Sequence, residues 1–242
     1  MNLIIDRGNT LYKIAVFDND TLIMEQSFQE LTLSVLEKIF HTQRIEKTIL
    51  CSVGGNVDKE IIEYLESKSI FRNMNDNLQL PISIAYKTPT TLGKDRIASV
   101  VGALEIVKGH SVIVIDAGSC ICVDYADKDL VYQGGSISPG IKMKYRSLNT
   151  FTANLPLLDL AKEEIVVCGA ETQECIHSGV INGTLYEIEG FIDYYLQKDN
   201  TAEVVLTGGD AELIAKRLNR KVILDKHIVL KGLNVILNAN AN

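Results

Sequence analysis

Leu3-Ile4-Ile5-Asp6-Arg7-Gly8-Asn9-Thr10 and Val114-Ile115-Asp116-Ala117-Gly118-Ser119 decide how this chain is read, because they are two copies of one pattern. Each is an apolar strand ending in Asp, then any residue, Gly, and an amide or hydroxyl side chain. An Asp at a strand end beside a glycine turn suits phosphate and metal. The glycine lets the backbone approach an anion, neighbouring N–H groups donate to it, and the carboxylate anchors a hydrated cation. One copy would equally suit an ordinary hairpin turn. Two copies heading similar halves point to a duplication that sets the two loops across a shared cleft.

Reading outward, each motif opens a meander: Leu11 to Phe17 and Leu22 to Phe28 in the first half, Ile121 to Tyr125 and Leu130 to Ile137 in the second. The first half continues with a helix at Leu31 to Phe40, a strand at Lys47 to Val53, a helix at Val57 to Ser67, a strand at Pro81 to Tyr86 and a helix at Asp95 to Val107. Helical stretches at Pro139 to Leu148 and Thr172 to Leu196 follow in the second. They lead to a strand at Glu203 to Thr207, a helix at Ala211 to Leu218, a strand at Val222 to Leu224 and a closing helix from Val229. The polar run Arg72 to Gln79 reads as a surface loop. Lys108-Gly109-His110 ends a helix ahead of the second Asp-bearing strand, which sets the expected domains at 1–108 and 109–242.

The bulk numbers agree with a globular chain of one or two domains: 242 residues, 46% hydrophobic and 23% charged. A formal net charge of -7 argues against a broad nucleic-acid or membrane surface, since phosphate-rich partners are met by basic fields. Met1 to Asp6 opens straight into a strand without the features of a secretory signal, and no apolar run approaches the roughly 20 residues of a spanning helix. The expected location is cytoplasmic, with the five cysteines reduced. Cys120 and Cys122 would share one face of a strand as small buried thiols, and the four histidines show no metal-binding spacing.

Other stretches carry candidate chemistry. Gly93-Lys94-Asp95-Arg96 stands where a loop enters a helix. It reads either as a cap with an exposed ion pair or as a base, Asp95, beside a substrate-holding Arg96. Thr207-Gly208-Gly209-Asp210 would let a nucleoside lie against bare backbone, or would be a strand-to-helix turn capped by Asp210. Gly93-Lys94 is followed by Asp95 rather than Ser or Thr, so it is no Walker A loop, and no GxGxxG fingerprint occurs.

Taken in order, these landmarks resemble the type III pantothenate kinases of the acetate and sugar kinase, Hsp70 and actin superfamily. The resemblance runs over nearly the full length. It rests on Asp6 to Thr10, Tyr86 nine residues before Asp95, Gly93 to Arg96, Asp116 to Ser119, Gly134-Gly135-Ser136-Ile137-Ser138-Pro139-Gly140, Thr152-Ala153-Asn154-Leu155-Pro156, and Thr172 with Ser178-Gly179. It implies an α/β fold of two duplicated actin-like (ribonuclease H-like) domains, each with a mixed β-sheet. The implied activity is ATP-dependent phosphorylation of pantothenate to 4'-phosphopantothenate, the first step of coenzyme A biosynthesis.

The resemblance also implies roles. Asp6, Arg7, Gly8, Asn9, Thr10, Leu11, Tyr12, Lys13 and Ser119 would contact ATP, with Asp6 holding Mg2+ through water. Asp95 would accept the proton. Tyr86, Gly93, Lys94, Asp95, Arg96 and Thr172 would hold pantothenate, Asp116 a monovalent cation (K+ or NH4+), and the active species would be a homodimer. This chain departs from the family pattern at Arg7, where an aliphatic residue is common, and at Cys120 and Cys122, which replace small or hydroxylated residues. Rival readings are a non-catalytic regulator of the same fold and a kinase for another small alcohol.

Overall fold

The computed structural model describes residues 1–160 and 165–240. In chain order its elements are β1 (Asn2–Arg7), β2 (Tyr12–Asp18), β3 (Thr21–Phe28), α1 (Leu33–Thr42), β4 (Lys47–Ser52), α2 (Lys59–Lys68), β5 (Ile70–Asn73), β6 (Ser83–Ile84) and α3 (Lys94–Val107). There follow β7 (Val112–Ala117), β8 (Cys120–Ala126), β9 (Val131–Pro139), α4 (Ile141–Thr150), α5 (Thr172–His177), a π turn (Ser178–Asn182), α6 (Gly183–Lys198), β10 (Glu203–Thr207), α7 (Ala211–Ala215), β11 (Ile223–Leu224) and α8 (Ile228–Ala239).

The chain divides into two compact units. The first comprises Met1–Gly109, Asp129–Gln133 and the chain from His227 onward; the second comprises His110–Lys128 and Gly134–Lys226. The division after Gly109 falls one residue from the cut read in the sequence. The closing helix, read there as part of the second half, packs in the first unit.

The duplication is explicit in the strand order. The first sheet runs β3-β2-β1-β4-β5, and the six-stranded second sheet, β6-β9-β8-β7-β10-β11, repeats that order of partners from β9 to β11 with β6 added at its edge. In each, the Asp-bearing strand is flanked by an antiparallel neighbour, β2 or β8, and by a parallel one, β4 or β10. A strand enclosed on both sides and covered on both faces needs a nearly continuous apolar run, which is what Leu3-Ile4-Ile5 and Val112-Ile113-Val114-Ile115 supply. Asp6 and Asp116 each occupy the fifth of six strand positions.

Alternation along β1 decides which way Asp6 faces. Leu3 and Ile5 pack into a cluster with Leu36, Ile39, Ile61 and Leu65 of α1 and α2. Asn2, Ile4 and Asp6 share the other face, where Asn2 Nδ2 donates to Asn234 Oδ1 and Asn238 Oδ1 of α8, both at 2.8 Å. Helix α3 lies against α8, and ten of its 14 residues are buried, so it lacks a polar face. The two helices meet at glycines. A Cβ on Gly102 would lie 2.2 Å from the carbonyl oxygen of Ile228, and one on Gly232 would lie 1.8 Å from that of Ala98.

Three local expectations change. Ile70–Asn73 forms an edge strand beside β4, so Arg72 and Asn73 belong to the sheet rather than to the polar loop. The strand expected at Pro81 to Tyr86 shortens to Ser83–Ile84, which pairs with Val131 and Tyr132 at the start of β9 within the first unit. The long helix expected from Thr172 is interrupted by the π turn, where Gly179 and Gly183 weaken the regular ladder.

Candidate functional site

In the first unit, register sets Asp6 against Cys51 on the parallel strand β4 and against Lys13 on β2. Asp6 is 7% exposed, a degree of burial that carboxylates reach only with compensation. Cys51 is fully buried, and its thiol pKa is pushed up by burial first, then by the charges of Asp6 and Asp95, against the opposing effect of Lys94. Asp6, Asp95 and Lys94 are therefore near enough for their charges to act on the Cys51 thiol, although Asp95 belongs to a helix far along the chain.

The loop after β4 completes this end of the sheet. Val53 N and Gly54 N donate to Arg7 O at 3.0 and 3.3 Å, and Gly8 N closes its own turn on Leu11 O at 3.0 Å. A Cβ on Gly54 would lie 2.2 Å from Gly8 O, so only glycine allows the two loops to touch. Arg7 turns its guanidinium to Asn56 O and over the Tyr12 ring, 5.2 Å from the centroid. Asn9, Thr10 and Leu11 are exposed at the loop tip, and Lys13 is half-buried.

Asp95 lies in the first turn of α3, whose N-cap is Gly93. Its Oδ1 accepts from Arg96 N at 2.9 Å, and a Cβ on Gly93 would come within 2.6 Å of that oxygen. Gly93 thus clears room for the carboxylate to fold back over the helix start. Arg96 is 7% exposed, which does not fit a surface ion pair. Tyr86 is half-buried, its ring 6.2 Å from that of Tyr132.

The second unit repeats the plan. Asp116 pairs with Thr207 on β10, and Gly208, with φ +98°, is pressed so closely on the loop that a Cβ would lie 2.5 Å from Ala117 O and 2.6 Å from Asp116 Oδ1. Asp210 N donates to Ala117 O at 2.9 Å. Its carboxylate makes no cap bond to α7, and burial raises its pKa against the lowering effect of Lys142. On the other flank Gly140, the N-cap of α4, donates to Ser119 O at 3.1 Å, and a Cβ there would lie 2.4 Å from Gly118 O. Ser119 is exposed between these supports, beside the start of a ten-residue helix.

Thr172 lies in the second unit, whereas Tyr86 and Gly93 to Arg96 belong to the first. It opens α5 and lines a cavity of 790 Å3 whose walls include Lys144, Leu148, Leu155 and Gly179. The sequence reading missed Cys51 and Gly54-Gly55. The signal was available in the repeat itself, since a glycine pair follows the parallel neighbour of each Asp strand. Among the described residues no cluster of three or more His, Cys, Asp or Glu side chains could cage a metal. The donors present, single carboxylates beside bare backbone, fit a metal that arrives with phosphate oxygens.

The fold and the paired acidic glycine loops define the class. Solved structures of the same architecture include a protein assigned to the Baf family of transcriptional activators from Campylobacter jejuni (22% identical, TM-score 0.61, 98% of this chain and 97% of that one). A glucokinase from an Antarctic psychrotroph is another (12%, TM-score 0.54, 98% of each). Likeness at that identity shows the fold, which is the one used by sugar kinases. The chain belongs to the type III pantothenate kinase family, whose model matches residues 2–194. It is 40% identical over 244 residues to a type III pantothenate kinase from Christiangramia forsetii and 38% identical over 242 residues to one from Phocaeicola vulgatus, with 99% of both chains covered each time.

Proposed function

We propose that this protein phosphorylates the primary alcohol of pantothenate with ATP, giving 4'-phosphopantothenate for coenzyme A synthesis. Family membership supports the substrates, and one observation supports the chemistry: the buried Asp6 at the glycine-cradled end of the first sheet and the helix-start Asp95 lie in the same unit, near enough for both charges to act on Cys51. Asp6 to Lys13 and Ser119 contact ATP. Tyr86, Gly93 to Arg96 and Thr172 hold pantothenate.

Asp95 takes the hydroxyl proton. A carboxylate with a reference pKa of about 3.9 is too weak a base to ionise an alcohol beforehand, so the proton moves late, as the alcohol oxygen bonds to phosphorus and the β–γ bridging oxygen departs with ADP. Arg96, almost wholly buried, orients the acceptor rather than sampling solvent. The residues fit Mg2+ held through water by Asp6 and a monovalent cation, K+ or NH4+, at Asp116; these ions supply charge neutralisation on the phosphates. The active species is a cytoplasmic homodimer, and among the described residues no helix is long and apolar enough to cross a membrane.

The experiment is product analysis: ATP, Mg2+, K+ and pantothenate are incubated with the protein and the acceptor is recovered. A phosphomonoester at the primary alcohol is expected. Recovery of unmodified pantothenate while a sugar or small acid is phosphorylated would transfer the assignment to another acceptor.

A further inference from the structure

Cys168 and Cys175 take no part in the chemistry above, and both are exposed. The chain around Cys168 is fastened to the helix that carries Cys175. Val167 O accepts from Ser178 Oγ at 2.6 Å, Gly169 O accepts from Cys175 Sγ at 3.4 Å, and Ala170 N donates to Glu174 Oε2 at 2.7 Å. Residues three apart share a helix face, so Cys175 and Ser178 hold the carbonyls on either side of Cys168 against one stripe. Gly169 permits the approach, because a Cβ there would lie 2.5 Å from Cys175 N. The backbone on either side of Cys168 is thereby held along the helix that carries Cys175, with only six residues between the two thiols in the chain.

The other thiols lack this arrangement. Cys51 is fully buried. Cys120 and Cys122 are two apart on β8, where an extended strand separates their Cβ atoms by about 7 Å, well beyond the roughly 4 Å that a disulfide spans.

We propose that Cys168 and Cys175 form an oxidisable dithiol, converted by hydroperoxides into a disulfide that restrains the turn Gly169-Ala170-Glu171-Thr172 at the cavity wall. Cys175 S–H is engaged with Gly169 O, so Cys168 reacts first. Its thiolate attacks the peroxide, the O–O bond breaks, and a sulfenic acid and an alcohol (water, from hydrogen peroxide) form. The Cys175 thiolate then attacks the Cys168 sulfur and expels water. Two thiols lose two electrons and two protons in total, and the peroxide is the oxidant. The linkage does not depend on the kinase reading, and its test does not read activity.

Hydrogen peroxide applied to the whole protein should lower its intact mass by about 2 Da. Titratable thiols in denaturant should fall from the five free cysteines by two, leaving three. Non-reducing peptide mapping should recover a Cys168–Cys175 link, and amides 169–172 should exchange about threefold more slowly or less still. Cys168→Ser and Cys175→Ser should each abolish the mass loss. An unchanged mass, oxygen addition without a link, a link to any other cysteine, or a link that leaves exchange at 169–172 unaltered would overturn the proposal.

Discussion

The Asp95 side chain is held in place by a backbone N–H and by the absence of a side chain on Gly93, and both supports survive amidation of the carboxylate. Asp95→Asn should therefore keep its place while losing the proton-accepting oxygen. Turnover measured by ADP release should fall by about 10^2 to 10^4, whereas ATP affinity measured calorimetrically should stay within about threefold. Unchanged turnover would remove Asp95 from its role. A second aspartate offers a structural test. Asp199 accepts from Ser111 Oγ at 2.5 Å and from Thr201, and these bonds lower its pKa to about 2. Because the folded value lies below the unfolded one, the stabilisation is present above about pH 4 and is lost as pH falls towards 2. Titration followed by carboxyl NMR should show the depressed midpoint, and Ser111→Ala should move it back towards the ordinary aspartate value.

At the scale of elements, close approach is paid for with glycines. Gly232→Ala must push α8 away from α3, since its Cβ would lie 1.8 Å from Ala98 O. A loss of about 1 to 3 kcal/mol is expected, read as a lower thermal midpoint. Gly190, inside α6 with nothing within 4 Å of its Cβ position, is the control; Gly190→Ala should stabilise by about 0.4 to 1 kcal/mol. The same contrast marks what could be read in advance. The two Asp strands were legible because a strand buried on both faces must be continuously apolar, which makes the terminal carboxylates Asp6 and Asp116 conspicuous. The place of α8 was not legible, because its contact with α3 depends on small residues, Gly102 and Gly232, that carry no local signal. Cys51 and Gly54 reach the site through strand register, which a linear reading does not supply. The edge strand Ile70–Asn73 was hidden by the polar residues that an edge tolerates.

For the molecule as a whole, the repeated order of five strands in each sheet explains why one motif occurs twice, with a glycine pair following the parallel neighbour of each Asp strand. In the proposed mechanism the chemical labour is unequal: the first unit would add Asp95 and Arg96 from α3, whereas the second would add Ser119 and the glycine supports at Gly140 and Gly208. Gly208→Ala, strained at φ +98° and crowded against Ala117 and Asp116, should weaken ATP binding at least about tenfold in calorimetry while Asp95 remains intact. The assignment itself is tested most directly by ADP release under Mg2+ and K+ across a panel of pantothenate, sugars and small carboxylic acids. Release that depends on pantothenate and on no other acceptor is the expected result; release that ignores pantothenate, or no release at all from folded protein, would contradict it.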